Sequence, residues 1–332
     1  MGGFGEVVRL CSDRGMAARG AEGIRRKAGP VAGLLLLCLL WSLDSLRADL
    51  LPSLHLDQRQ TWVQALAFAM AALTAVSLSL MRRAPRLGAR EAMQAALIGV
   101  GMFVAPAMLI QMAGSWVTDS TRVALFSLTP VVAVVFEPYL GRANARQTRG
   151  ALIGALVAVA GTLCVFPVDV PRSINGGAAC CAVVAAAVCI GITNCWAVRA
   201  VYALQAGALA PFAAIATGTA ALFFAVVGAM ADRRVEGLGS LLPTLGWTAA
   251  VDLPALLLLL WLMRRMTATP MTTRFLIAPL MANLIALALY QPTVNLRAGL
   301  GLVAIAAGAG WIVFAQESQP ETGSSLLNLD QS

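Results

Sequence analysis

Charge is what this sequence has least of. Asp, Glu, Lys and Arg make up 12% of its 332 residues, whereas 59% are hydrophobic. A soluble domain of this length needs about a quarter of its residues charged, so an ordinary soluble fold is excluded. Lysine occurs once, at Lys27, and histidine once, at His55 in a predicted external loop. With no G-x-x-x-x-G-K run there is no phosphate loop, and ATP-driven pumping by this chain is not expected. H-E-x-x-H, G-x-S-x-G and adjacent acidic pairs are absent too, which removes the usual intramembrane enzymes. No catalytic residue, metal or cofactor is therefore expected. The seven cysteines are odd in number and make no C-x-x-C. Cys180, Cys181, Cys189 and Cys195 share one predicted helix but not one face, a pattern that suits small packing residues better than disulfides or a metal centre.

What is present is oil, in long runs. Mean hydropathy is +0.79, and apolar stretches of about 18 residues or more recur, each long enough to cross roughly 30 Å of hydrocarbon as a helix. The sequence predicts an all-α membrane protein with ten spans, at 30–49, 61–81, 91–114, 120–140, 148–166, 177–200, 206–229, 245–263, 270–290 and 298–314. Residues 1–29 are expected to form a disordered basic tail before an uncleaved first helix. Residues 316–332 read as a second polar tail. Ten spans put both termini on one side. With the termini inside, 17 of the Lys and Arg residues lie inside and 7 outside, with Arg274 among those counted inside. The positive-inside rule thus predicts cytoplasmic termini in a cytoplasmic membrane. The same bias accounts for the net charge of +8 without a nucleic-acid partner.

The chain also carries a faint internal repeat. "TDSTRVALFSLTPVVAV" (118–134) lies over "TATPMTTRFLIAPLMAN" (267–283) at an offset of 149, pairing Thr118 with Thr267, Phe126 with Phe275, Pro130 with Pro279 and Ala133 with Ala282. Gly150 then meets Gly299 and Gly161 meets Gly310, while Pro106 and Pro254 fall one residue from that offset. Five spans per copy is an odd number, so the copies (30–166 and 177–315) are expected to be inverted, as in secondary transporters. Proline inside a helix frees a backbone carbonyl and kinks the helix. Pro106, Pro130, Pro254 and Pro279 are expected to mark kinked, cavity-facing helices 3, 4, 8 and 9. "GALIG" (150–154) and "GLGLVAIAAGAG" (299–310) bring small residues together. They suit close helix contacts, either within the chain or between two copies through helices 5 and 10.

The candidate site residues are the polar groups at membrane depth. Asp44 falls about 21 Å into helix 1 and Asp252 about 10 Å into helix 8 from the other end, so the two share an outer layer. Arg47 lies on the Asp44 face, and Arg122 starts helix 4. A charge at helix centre costs about 2.5–3.5 kcal/mol to insert, so such residues usually face a polar path. Alternatively, Asp44 and Arg47 neutralise each other and Arg122 snorkels. Gln111, Asn194 and Asn283 either hydrogen-bond a substrate or join helices. Trp41 and Trp196 either wall a cavity or pack. Glu137 either serves the path or pairs with loop arginines such as Arg142. Arg274 reads as a topology-setting arginine at a helix end.

Trp41-Ser42, "TDSTRVALFSLTPVVAVVFEPYLG" (118–141), "GALIGALVAVAG" (150–161) and "FLIAPLMANLIALALYQP" (275–292), taken in order, resemble the EamA-like branch of the drug/metabolite transporter superfamily. Two features depart from that pattern: Arg142 follows Gly141 where the family often has Glu, and helix 1 is charged. The resemblance implies two inverted five-helix repeats, alternating access and small polar metabolites as substrates. The expected partners are a small-molecule substrate and membrane lipid. A non-transporting scaffold or sensor on the same fold is the alternative.

Overall fold

The computed structural model describes residues 28–46, 60–140, 145–169, 172–205, 207–230, 245–291 and 295–315. Most of the basic tail, the second polar tail, Arg47, His55 and Arg142 lie outside the described residues. Ten helices among those described are long and apolar enough to cross a membrane. They are α1 Ala28–Ser45, α2 Thr61–Met81, α3 Ala89–Trp116, α4 Asp119–Tyr139, α5 Thr148–Val165, α6 Ile174–Ala203, α7 Leu209–Met230, α8 Leu245–Met263, α9 Ala268–Tyr290 and α10 Leu296–Phe314. The chain is an all-α, multi-pass membrane protein. Outward faces carry bare Leu, Val and Ile side chains such as Leu73, Leu222, Ile153 and Val303, as lipid requires.

Local chemistry sets the ends. Glu91 accepts a hydrogen bond from the Gly88 amide (2.9 Å) at the start of α3, and the Ser173 hydroxyl accepts one from Gly176 (3.1 Å) at the start of α6. Near the end of α3 the chain turns at Gly114, whose φ of +49° favours glycine. Ser115 and Trp116 follow in a short 3-10 turn before α4.

The expected kinks take several forms. In α3 the residues Val100–Val104 form a π-turn, and in α8 so do Thr248–Asp252. Pro106 and Pro254 each stand at the second position of the α-segment that follows. The turn widens the backbone just where a proline ring would strike the preceding turn. In this register the carbonyl deprived of an amide by Pro106 is that of Gly101, and the Cys189 thiol of α6 donates to it (3.2 Å). Helix α4 is interrupted at Ser127 and Leu128, directly before the segment Thr129–Phe136 that carries Pro130. Helix α9 breaks at Thr273, between Ala268–Thr272 and Arg274–Tyr290. Pro279 does not mark that break: it lies inside the unbroken second segment.

Helices five apart in sequence pack closely, α2 against α7 and α5 against α10. In the second pair the glycine faces meet. A methyl placed on Gly161 would stand 2.7 Å from the Gly301 carbonyl oxygen, and one on Gly154 would stand 3.0 Å from that of Gly308. The contacts run antiparallel, and the small-residue faces are used within the chain. Replacing Gly161 by Ala should lower stability by about 1–3 kcal/mol, through overpacking against a backbone that cannot yield. Gly310→Ala has nothing within 4 Å to strike and should stay within about 0.5 kcal/mol. The midpoint of detergent-induced unfolding compares the two.

Candidate functional site

A cavity of about 720 Å³ opens at the end of the bundle where α3 hands over to α4. Its walls come from α1, α3, α4, the end of α5 and, along one side, α9. On α9 the lining residues Ala278, Ala282 and Ala286 recur every four positions, leaving a smooth stripe. Trp41, Phe126 and Phe275 form an aromatic cluster, with Phe275 5.8 Å from Trp41 and 6.0 Å from Phe126 between ring centroids.

The deepest polar group is Arg274, 1% exposed, whose side chain still reaches the cavity lining. Its guanidinium lies under the faces of Trp41 (5.1 Å) and Phe275 (4.8 Å). It donates from Nη2 to Asn194 Oδ1 (3.1 Å) and from Nη1 to the Met271 carbonyl (3.2 Å), while its Nε has no partner. The Asn194 amide group in turn donates to the Ile190 carbonyl (2.8 Å), which fixes which end of the amide meets the arginine. Asn194 therefore positions Arg274 and does not itself line the cavity. The reading of Arg274 as a topology-setting arginine at a helix end is corrected: it stands seven residues into α9, wholly buried.

Nearer the mouth, Asp44 lines the cavity, and Trp247 of α8 donates to it from Nε1 (3.1 Å). Arg122 lines the same mouth, bonded to Asp119 Oδ1 (3.0 Å) on its own helix and to the Gly114 carbonyl, with its Nε unpartnered. Asn283 is also in the lining, its amide group turned back to the Pro279 carbonyl (2.8 Å). Ser42, fully buried, ties α1 to α9 by donating to the Ala278 carbonyl (2.8 Å).

Beyond the buried Arg274, the start of α9 is packed closed. Residues 268–273 are all buried. Glu137, at the end of α4, accepts from the Thr269 amide (3.2 Å) and from its hydroxyl. That carboxylate is buried, and both of these donors belong to the start of α9; Arg142, its expected loop partner, lies outside the described residues.

Several expected site residues stand elsewhere. Asp252 sits in the π-turn of α8, outside the cavity lining, because α8 meets Asp44 through Trp247 and lies behind α1. Trp261 and Leu262 of α8 crowd Gly33 of α1, which keeps α8 out of the wall. Gln111 is exposed on the outer face of α3, whose cavity-facing residue is Ile110. Trp196 packs against the main core. Of the four prolines only Pro279 lines the cavity: Pro106 and Pro130 are buried in helix packing and Pro254 is exposed.

No protein-family model and no curated protein sequence matches this chain. One solved structure, described only as "Crystal structure of protein", is similar to it with a TM-score of 0.69 and 18% identity, covering 86% of this chain and 98% of that one. The likeness is one of fold.

A second cavity, about 680 Å³, lies between α2, α7 and α8 and is lined by Arg82, Arg264 and Arg265 among apolar side chains. Arg265 lies over the Trp261 ring (5.3 Å). These arginines stand at helix ends, where they suit the interface and not a membrane-buried site.

Because Asn194 supplies the only side-chain oxygen on Arg274 among the described residues, Asn194→Ala should strand a buried cation. The expected loss is about 1.5–3 kcal/mol, read as a lower unfolding midpoint. Gln111→Ala, on the outer face, should change it by less than about 0.5 kcal/mol.

Proposed function

We propose that this protein is a secondary active transporter that moves a small organic metabolite across the cytoplasmic membrane by alternating access. The observation that carries the reading is the one-sidedness of the path. A cavity with a buried cation on its floor is open at one end of the bundle, while residues 268–273 and the Glu137–Thr269 bonds close the other. A carrier that exposes one site to each side in turn must pass through such a state.

The EamA-like resemblance points the same way, and several features of the fold support it. The prolines at 106 and 254 each follow a π-turn, 148 residues apart. Helices α2 and α7, and α5 and α10, pack against each other, as counterparts in two five-helix units would. Helices α4 and α9 are both discontinuous, as helices that line a transport path often are. On this reading the arginine bias puts both termini in the cytoplasm, so the open cavity faces outward and the closed end faces in. Asp44 serves at the mouth as a substrate or coupling carboxylate, and Arg274 forms the floor.

Uptake tests this. A compound chosen because it raises the melting temperature of the purified protein should enter proteoliposomes saturably. Asp44→Asn should slow that entry by about tenfold or more, the equivalent of one lost charge-assisted hydrogen bond. Asp252→Asn, outside the cavity, should change it less than about twofold. Equal uptake by wild type and Asp44→Asn would remove Asp44 from the mechanism, and binding without any uptake would favour a sensor.

The closed end makes a separate prediction. Glu137→Ala deletes the acceptor of the Thr269 bonds and should move the balance between closed and open forms about 10- to 100-fold toward opening. The readout is alkylation of Cys195, kept as the sole cysteine. Its buried thiol reaches the Ala133 carbonyl one turn before Glu137 (3.6 Å). Faster labelling in the variant is expected.

A further inference from the structure

The floor of the cavity holds a charge that no described residue matches. Arg274 is surrounded by two neutral oxygens and two ring faces. Among the described residues no Asp or Glu stands within salt-bridge distance of it. A guanidinium carries five N–H groups in one plane. Asn194 and Met271 each accept from one terminal nitrogen, and the Nε–H has no acceptor. Trp41 and Phe275 lie over the faces, so the free N–H groups point along the edges, where a carboxylate meets an arginine in the plane.

A second guanidinium, Arg122, stands in the same lining with its Nε also unbonded. It is held to Asp119 and the Gly114 carbonyl, which leaves its charge largely matched and suits it to the mouth. An anion entering past Arg122 would find its counter-charge at Arg274. Apart from Asp44 and Ser45 near the mouth and Asn283 on α9, the remaining wall is apolar: the rings of Trp41, Phe126 and Phe275 and the alanine stripe of α9. With one unmatched cation in such a wall, a single anionic group fits. A second anionic group on the same ligand would be stripped of water with nothing to meet it.

We propose that Arg274 binds the carboxylate of an amphipathic organic acid whose apolar body lies against Trp41, Phe126 and Phe275. The proposal rests on the transport reading for the role of the cavity, but its chemistry can be tested by binding alone.

The test uses two matched sets of probes: 3-phenylpropionate, its amide and 3-phenylpropylamine, and 4-methylpentanoate with its amide and amine. Each is titrated against the purified full-length protein, with melting temperature as the signal, and each radiolabelled probe is offered to proteoliposomes. At least one carboxylate should raise the melting temperature saturably, while its amide and amine at equal concentration do not. Arg274→Lys should weaken that binding by about tenfold or more, because an ammonium cannot offer the planar fork, and Arg274→Gln should abolish it. If Arg274→Gln does not fold, the wild-type comparison still decides. An amine or amide that binds as well as its carboxylate, no response to either carboxylate, or unchanged carboxylate binding in Arg274→Lys overturns the proposal. The two readings fail separately. Carboxylate binding without saturable uptake keeps the anion site and ends the transport reading, whereas uptake of amines in preference to acids does the reverse.

Discussion

A cation inside an apolar slab must be solvated by the protein, and the placing of Arg274 shows what that demands. Its partners are a side-chain amide from α6, a carbonyl from the first segment of α9, and ring faces from α1 and α9. Three helices are thus held to one point by groups that have no other way to meet the charge. The hydrogen bonds to a charged group are each worth about 1.5–3 kcal/mol, and the ring contacts add roughly 0.5–2 kcal/mol apiece. The cavity has its floor at this depth because the three helices converge on the guanidinium.

The same accounting governs the backbone. Every break in a membrane helix exposes amides or carbonyls that lipid cannot satisfy. At the break in α4 the Ser127 hydroxyl donates to the Ala124 carbonyl (2.6 Å). At the break in α9 the hydroxyls of Thr272 and Thr273 donate to the carbonyls of Thr269 (2.8 Å) and Pro270 (2.5 Å). Short hydroxyl side chains therefore allow these helices to be discontinuous where the bundle is tightest. The π-turns of α3 and α8 solve the proline problem differently, by widening the helix, and in α3 the spare carbonyl goes to Cys189.

The spans were readable because hydropathy over about 18 residues needs no tertiary information. The π-turn helices were partly readable, since proline announces a disturbed helix without saying which way the backbone yields. Trp41, Asp44, Arg122 and Asn283 were readable as polar or aromatic groups in oil, and all four line the cavity. Gln111 and Asp252 met the same criterion and do not line it. Depth alone cannot give the rotation of a helix, and α3 turns Ile110 rather than Gln111 inward, as α8 turns Trp247 to Asp44. Arg274 was hidden by the topological rule that counts arginines near helix ends. Its signal was local: it follows Thr272-Thr273 seven residues into an apolar span, about 10 Å past the end, too deep to snorkel as a matter of course. Glu137 was equally ambiguous, because only the fold brings the start of α9 to it.

The position of Arg274 relative to the break joins the floor of the cavity to the closed end. Residues Thr269 to Thr273 bond to Glu137 and to one another, and Met271 among them accepts from Arg274. The helix resumes at Arg274 itself. Whatever changes the solvation of the guanidinium also changes the demand on the Met271 carbonyl, and with it the buried segment that the transport reading makes the seal. A ligand biases a two-state element only by what it contacts differently in the two states. Here an anion at Arg274 would compete with, or relieve, a carbonyl that belongs to the seal. Under the transport reading, binding and opening would therefore share six consecutive residues, and no longer relay through the bundle would be needed.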